Sequence, residues 1–200
     1  RIAELTGEVS EQVVLHNNVG FTCMERGWDG RANRAYEQAL ALAEARGLDR
    51  LAIIVRGNLG ELRVRQGRFD EAEELLIRAS TAAQALQARG DVVENQRRLA
   101  LCALEAGEAE LALDRANETL ASFGADAGGE RHRLQRILAA AQLELGRSRA
   151  AIATLKGAEP APEPVDRGEV ALLWAHIELQ RGRLSDAEKY VEDAIRVFRE

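Results

Sequence analysis

The residue types that could carry out chemistry are few in this chain, and their spacing keeps them apart. Three histidines, His16, His132 and His176, have no i, i+4 partner and no adjacent cysteine, so they do not form the ligand set of a zinc site. Each reads as a surface or packing histidine. Two cysteines, Cys23 and Cys102, lack a C-x-x-C partner and do not suggest a disulfide framework. On the apolar phase of a helix a cysteine acts as a small hydrophobe, and a reducing, cytoplasmic compartment fits that use. No glycine-rich phosphate loop follows a strand. The sequence is therefore not expected to be an enzyme, and it implies no cofactor and no metal.

Charge narrows the partner class. Lys and Arg total 27 against 33 Asp and Glu, a net charge of −6. A nucleic-acid binder needs a basic face, because its affinity comes from releasing counterions condensed on phosphates, so no nucleic-acid partner is expected. The cations are almost all arginine, with lysine at Lys156 and Lys189 alone. Forked, bidentate recognition of carboxylates is thus available. No run approaches the ~18 apolar residues of a membrane span, so no membrane partner is expected either. The chain starts at Arg1 and stops at Glu200 inside a helical pattern, which is expected of a fragment of something longer.

The elements that position these residues are visible as a repeat. Five segments align on Gly27, Gly67, Gly107, Gly146 and Gly182, at separations of 40, 40, 39 and 36. Five residues after each glycine stands an alanine, at Ala32, Ala72, Ala112, Ala151 and Ala187. Seven before each stands Gly20, Gly60, Ala100, Ala139 or Ala175, preceded by an apolar knob at Val19, Leu59, Leu99, Leu138 or Trp174. Small residues at such offsets admit a close helix crossing. Between the markers apolar residues recur at three and four, the helical period. Each repeat is then a hairpin with helix A before the glycine and helix B after it. Asp70 with Glu73, Asp91 with Glu94 and Ser185 with Glu188 have the spacing of capping boxes. Gly47 and Gly90 are placed to end second helices in the left-handed conformation.

This spacing of small and large residues resembles that of tetratricopeptide repeats, most clearly in NLGELRVRQGRFDEAEELLIRA from Asn58 to Ala79. The usual repeat is ~34 residues, so these longer hairpins are similar to those of kinesin light chains and of large bacterial regulators. HEAT and armadillo repeats also run near this length, but lack the paired small residues around a turn glycine. The resemblance implies an all-α fold, a right-handed α-solenoid of five antiparallel helical hairpins. The expected layout is one domain over 1–200, with repeats at about 11–47, 48–90, 91–129, 130–167 and 168–200. Departures fall at Ala116, where a large residue is expected, at FGADAGG from Phe123, and at the PAPEP connector from Pro160 to Pro164. These junctions are where the pitch is expected to be irregular. Trp28 and Trp174 read as structural knobs.

A solenoid of this family binds along its concave side, lined by helix A. Counting back from each glycine gives one stripe out of phase with the packing residues. It holds Val14, Asn17, Asn18, Phe21 and Met24, then Ile54, Asn58, Glu61 and Val64, then Glu94, Arg97, Arg98, Leu101 and Leu104. Arg133, Arg136, Ala140 and Leu143 continue it, followed by Glu169, Leu172, His176 and Leu179. The apolar members either face the groove or pack on the next repeat. Asn18 and Asn58 share one offset, and the resemblance implies amides that bond an extended peptide backbone. Arg97, Arg98, Arg133 and Arg136 either converge on an acidic group or pair with acids of the chain itself, such as Glu94 and Glu105. The family's carboxylate-clamp pattern of lysine and asparagine is not reproduced. The expected partner-binding residues are therefore Asn17, Asn18, Phe21, Met24, Asn58, Glu61, Val64, Arg97, Arg98, Leu101, Arg133 and Arg136, holding a protein or peptide, acidic if the arginines are its anchors. The alternative is a structural, oligomerising or autoinhibitory spacer with no groove ligand. Apolar helices exposed at the ends would favour it.

Overall fold

The computed structural model describes residues 2–158 and 163–199, with side chains described from residue 8 and not at residue 125. Among the described residues there is no strand. The helices are α1 (Ile2–Glu25), α2 (Asp29–Ala45), α3 (Asp49–Arg65), α4 (Phe69–Ala85), α5 (Arg89–Glu105), α6 (Ala109–Phe123), α7 (Glu130–Glu144), α8 (Ser148–Gly157), α9 (Pro164–Gln180) and α10 (Leu184–Arg199). They fall into two compact units, Arg1–Ala106 and Gly107–Glu200. The boundary lies in the turn between α5 and α6. In the first unit α1 packs on α2 and α3 on α4; in the second, α7 packs on α8 and α9 on α10. None of the described helices is long and apolar enough to cross a membrane.

The turn glycines do what their spacing predicts. Gly27, Gly67, Gly107, Gly146 and Gly182 all have φ between 69° and 81°, a left-handed conformation that glycine adopts at no steric cost. The next residue donates its N–H to the carbonyl five residues back, as in Trp28 to Cys23 at 2.8 Å, Arg68 to Arg63 at 2.9 Å and Arg147 to Gln142 at 2.7 Å. This is the Schellman closure of a helix C-terminus. The donor serves at the same time as N-cap of the following helix, with φ near −90° at Trp28, Arg68 and Arg147. One residue thus ends one helix and starts the next.

That economy corrects the expected capping boxes. Neither α4 nor α5 has a side-chain cap. Asp70, Asp91 and Ser185 lie inside the first turns of α4, α5 and α10, where the two acids oppose the positive end of the helix dipole. Gly90 is corrected as well. It is the second residue of α5, and the left-handed position belongs to Gln87, at φ 54°. Gln87 follows Gly67 by the same 20 residues that separate Gly47 from Gly27, so the frame holds while the residue type does not.

Packing follows the small-residue offsets. Ala32, Ala72, Ala112 and Ala151 have no exposed surface. Gly20 lies under the ring of Tyr36, where a Cβ would come within 2.6 Å of ring carbons, and Gly60 lies under Leu76, where it would come within 2.8 Å. The bulky residue nine after the turn glycine therefore fills the space that the small residue seven before it leaves open. It also reaches the next helix A: one cluster joins Tyr36 to Val55, Leu59 and Leu62, another joins Leu76 to Leu99 and Cys102, and a third joins Leu155 to Ile177 and Trp174. Trp174 stacks on Tyr190 at 6.1 Å, as a knob should. Trp28 does not act as a knob. It is half exposed at the turn, with the guanidinium groups of Arg26 and Arg31 over its ring at 5.3 and 5.2 Å.

The departures also have local shapes. Ala116 is fully buried. FGADAGG forms a 3-10 turn over Gly124–Ala127, between left-handed glycines at Gly124 and Gly128. Helix α8 has 10 residues against 17 for α2 and α4. Of the proline cluster, Pro160 and Pro162 lie outside the described residues. Pro164 opens α9, a position whose N–H would have no helical partner in any case.

Candidate functional site

The helix A stripe of the first unit is a polar ladder that crosses three helices. Asn58 of α3 donates its amide to Asn17 Oδ1 of α1 at 2.9 Å. Arg98 of α5 donates to Asn58 Oδ1 at 2.8 Å and to Glu61 Oε2 at 3.0 Å. Arg98 also pairs with Glu94 at 2.7 Å. Arg65 reaches back to α1, to the Met24 carbonyl at 3.2 Å and to Glu25 at 2.7 Å. Every link except Arg98–Glu94 joins residues about one repeat apart, so the ladder also ties neighbouring repeats together.

Arg98 can enter this ladder because position 57 of α3 is glycine. A Cβ there would lie 2.5 Å from Arg98 Nη1 and 2.6 Å from Asn95 Oδ1. Arg98 consequently runs through the interior, 6% exposed. Burial pushes the Glu61 carboxyl up, but Arg98, Arg97 and Arg65 outweigh it and hold the group below the usual carboxylate range. Buried charge needs such partners and hydrogen bonds to be tolerated. Beneath lies Tyr36, whose hydroxyl has no hydrogen-bond partner among the described residues. Burial, with the Glu61 charge, pushes this phenol well above the ordinary tyrosine range.

The expected site residues divide by depth. Asn18 and Phe21 are exposed, while Asn17, Asn58, Glu61 and Leu101 are half-buried. Met24, Val64, Arg97 and Arg98 are buried. Met24 and Val64 turn into the core because they sit three residues before the turn, where helix A meets its neighbours. Of the two arginine pairs, Arg97 and Arg98 belong to the first unit, and Arg133 and Arg136 to the second. In the second unit an acid of the chain itself meets the arginines. Asp166, in the first turn of α9, accepts from His132 Nε2 at 2.8 Å, Arg133 at 3.2 Å and Arg136 at 3.3 Å. Arg136 also pairs with Glu169, and Arg133 with Glu130 at 3.3 Å. Asp166 is buried; the pull of burial on its pKa is overcome by the His132 and Arg133 hydrogen bonds and by both arginines, so the pKa is lowered. His132 is therefore a half-buried hydrogen-bond partner of Asp166.

Sequence reasoning did not single out Arg65, Glu25, Asp166 or Gly57. A signal existed for Gly57: a glycine in a helix interior costs about 1 kcal/mol relative to alanine, and Arg98 stands one repeat and one residue beyond it.

With this geometry in view, the comparisons fall into place. Residues 51–125 match the family model described as tetratricopeptide repeat. Over that stretch the sequence is similar to tetratricopeptide repeats. Among solved structures, the apo form of RapI has a TM-score of 0.70 at 10% identity over 94% of this chain. This chain spans 64% of the RapI chain. BtubC (BKLC) from P. vanneervenii gives a TM-score of 0.65 at 17% identity, covering 96% of this chain and 88% of that one. TPR-like repeats of a candidate kinesin light chain from Podosopora anserina give 0.66 at 17%, covering 92% and 94%. At these identities the likeness establishes the fold alone. No curated protein matches the sequence. The fold class is all-α, that of tetratricopeptide-type helical repeats.

Proposed function

We propose that this tetratricopeptide-repeat chain is a protein- or peptide-interaction module that holds an extended segment along the helix A face of its first unit. The observation that carries the reading is an exposed aromatic ring, Phe21, on the same helix as the exposed Asn18 and as Asn17, whose amide oxygen the Asn58–Arg98–Glu61 ladder holds. A rigid amide supplies both a donor and an acceptor to a peptide backbone, and pre-organisation lowers the entropy lost on binding. Phe21 supplies apolar area for a side chain of the guest. Because Arg98 is engaged with Glu61 and Glu94, selectivity rests on the amides and Phe21 more than on attraction to an acidic guest.

The test is selection of binders from a random-peptide display library on the full chain, followed by competition with the Asn18→Ala/Phe21→Ala double variant. Peptides selected on the native chain should lose affinity for that variant. Peptides that bind both equally would place the recognition surface elsewhere.

A further inference from the structure

The residue one after a turn glycine is exposed and, in most repeats, a cation closed by an acid of the chain. In the second repeat it is Arg68, whose Nε and Nη2 donate to the two oxygens of Glu71, four after the glycine, at 2.7 and 2.6 Å. In the fourth it is Arg147, which donates to Glu110 at 2.6 Å, and in the fifth Arg183, paired with Glu178 at 3.4 Å. The first repeat changes both members of the Arg68–Glu71 pair. One after Gly27 stands Trp28, and four after it stands Arg31. An aromatic ring thus replaces the cation, and a cation replaces the acid.

Trp28 is 45% exposed, with the guanidinium groups of Arg31 and Arg26 at 5.2 and 5.3 Å from its ring centroid. Arg26 and Arg31 are themselves exposed, and no carboxylate among the described residues pairs with either. The adjacent acids are engaged elsewhere: Glu25 accepts from Arg65 at 2.7 Å, and Asp29 lies in the first turn of α2, where the helix dipole favours it. The exposure belongs to the offset and not to the place of this repeat in the chain. Arg68 and Arg147 are 48% and 47% exposed, although their hairpins have helices packed before and after them. Stacking on an indole holds a guanidinium only weakly at an exposed site, and it leaves the N–H groups for an outside acceptor. A carboxylate fits that fork in bidentate fashion. The uncovered ring beside it suits an apolar side chain, and Trp and Arg are enriched where binding energy concentrates. Two such cations, on a chain of net charge −6, are too few for a nucleic-acid strand, whose affinity grows with the phosphates neutralised.

We propose that the turn between α1 and α2 docks an acidic peptide segment of a partner protein, with Arg26 and Arg31 holding its carboxylates and Trp28 covering an apolar side chain next to them. The argument is charge complementarity: this turn presents two guanidinium groups without a carboxylate partner among the described residues, at offsets where the second repeat closes its own cation with Glu71. None of the three residues belongs to the helix A stripe, and the guest differs in chemistry, so this docking and the binding along helix A stand or fall independently.

Fluorescence anisotropy of a labelled short peptide of glutamates interspersed with leucines, titrated with the full chain, tests this. The wild type should bind it saturably, with an affinity that falls as salt rises, and should not bind the matching peptide with glutamine in place of glutamate. Arg26→Gln/Arg31→Gln should weaken binding about tenfold or more through loss of hydrogen bonds to charged groups. Arg131→Gln/Arg149→Gln, which removes the same charge from exposed sites of the second unit, should bind as the wild type does. In a Trp174→Phe chain, where Trp28 is the one remaining tryptophan, the indole emission should change on titration with the unlabelled peptide. Circular dichroism matching the wild type confirms that the variants fold. A wild type that does not bind the glutamate peptide, or that binds the glutamine peptide as tightly, overturns the proposal. Equal weakening by the two arginine pairs overturns it too, because net charge alone would then explain the binding. An oligonucleotide that displaces the peptide and binds more tightly overturns it in favour of nucleic acid.

Discussion

Gly57→Ala puts the polar ladder to a quantitative test. In an open helix interior this substitution gains about 1 kcal/mol from helix propensity. Here the new methyl would sit 2.5 Å from Arg98 Nη1 and 2.6 Å from Asn95 Oδ1, so the guanidinium must move. Moving it strains the contacts to Asn58 at 2.8 Å, to Glu61 at 3.0 Å and to Glu94 at 2.7 Å. Hydrogen bonds to charged groups are worth about 1.5–3 kcal/mol each. Losing the equivalent of one outweighs the propensity gain and leaves a net destabilisation of about 0.5–2 kcal/mol. Because the obstructing atoms are side-chain ends, the fold should survive. Urea unfolding followed by circular dichroism measures the change, and the Arg98→Met background supplies the second leg of a cycle. In that background Gly57→Ala should cost less, since the methyl then meets no guanidinium and only the Asn95 Oδ1 contact at 2.6 Å remains to be relieved. If Gly57→Ala stabilises the native chain, Arg98 is not held by the ladder and the reasoning is wrong.

Other expectations follow from single features. Ala72 is fully buried at the crossing of α3 and α4, so Ala72→Leu should cost about 1–3 kcal/mol through overpacking, measured by the same unfolding. Tyr36→Phe removes a buried hydroxyl that has no partner among the described residues, and should leave stability unchanged or raise it by about 1 kcal/mol. In an ultraviolet pH titration, Tyr36 should ionise above the range of an ordinary tyrosine. Asp166 and Glu61 have lowered folded-state pKa values, so the unfolded chain binds more protons as pH falls. Their contribution should be full above the ordinary carboxylate pKa of about 4 and lost as pH drops through the folded values. Asp166→Asn should remove part of that acid dependence, read as a flatter plot of unfolding midpoint against pH. Gln87→Gly relieves a left-handed non-glycine residue and should stabilise by about 1 kcal/mol.

The repeat was legible in the sequence because its determinants are local and recur. A glycine that must be left-handed and an alanine that must admit a crossing helix leave a mark at every copy, as at Gly67 and Ala72. The caps were misread because the Schellman turn lets Arg68 end α3 and begin α4, so the acid at Asp70 has no capping role to fill. The depth of the stripe was less legible, for a different reason. Whether Arg98 lies on the surface or inside depends on the missing side chain of Gly57, forty-one residues away, and no periodicity reports that. Asn58 and Arg97, which look like surface anchors on a helical wheel, are half-buried and buried. Replacing them would disturb the ladder and blur any effect on binding. Exposure singles out Asn18 and Phe21 instead. End effects were equally invisible in the pattern: Val19 has the offset of a core knob and stands exposed.

The claim that the helix A face of the first unit is the binding surface is met most directly by calorimetric titration of a selected peptide into three chains. These are the wild type, Asn18→Ala/Phe21→Ala, and Glu74→Ala/Arg78→Ala on the exposed side of α4, where that pair sits 3.8 Å apart. Surface substitutions of this kind usually alter stability by less than about 0.5 kcal/mol, so all three should melt together. The Asn18/Phe21 variant should bind about 1–3 kcal/mol more weakly through loss of an aromatic and an amide contact, with the α4 variant unchanged. Unaltered binding by the Asn18/Phe21 variant together with loss in the α4 variant would contradict the account and place the interface on helix B.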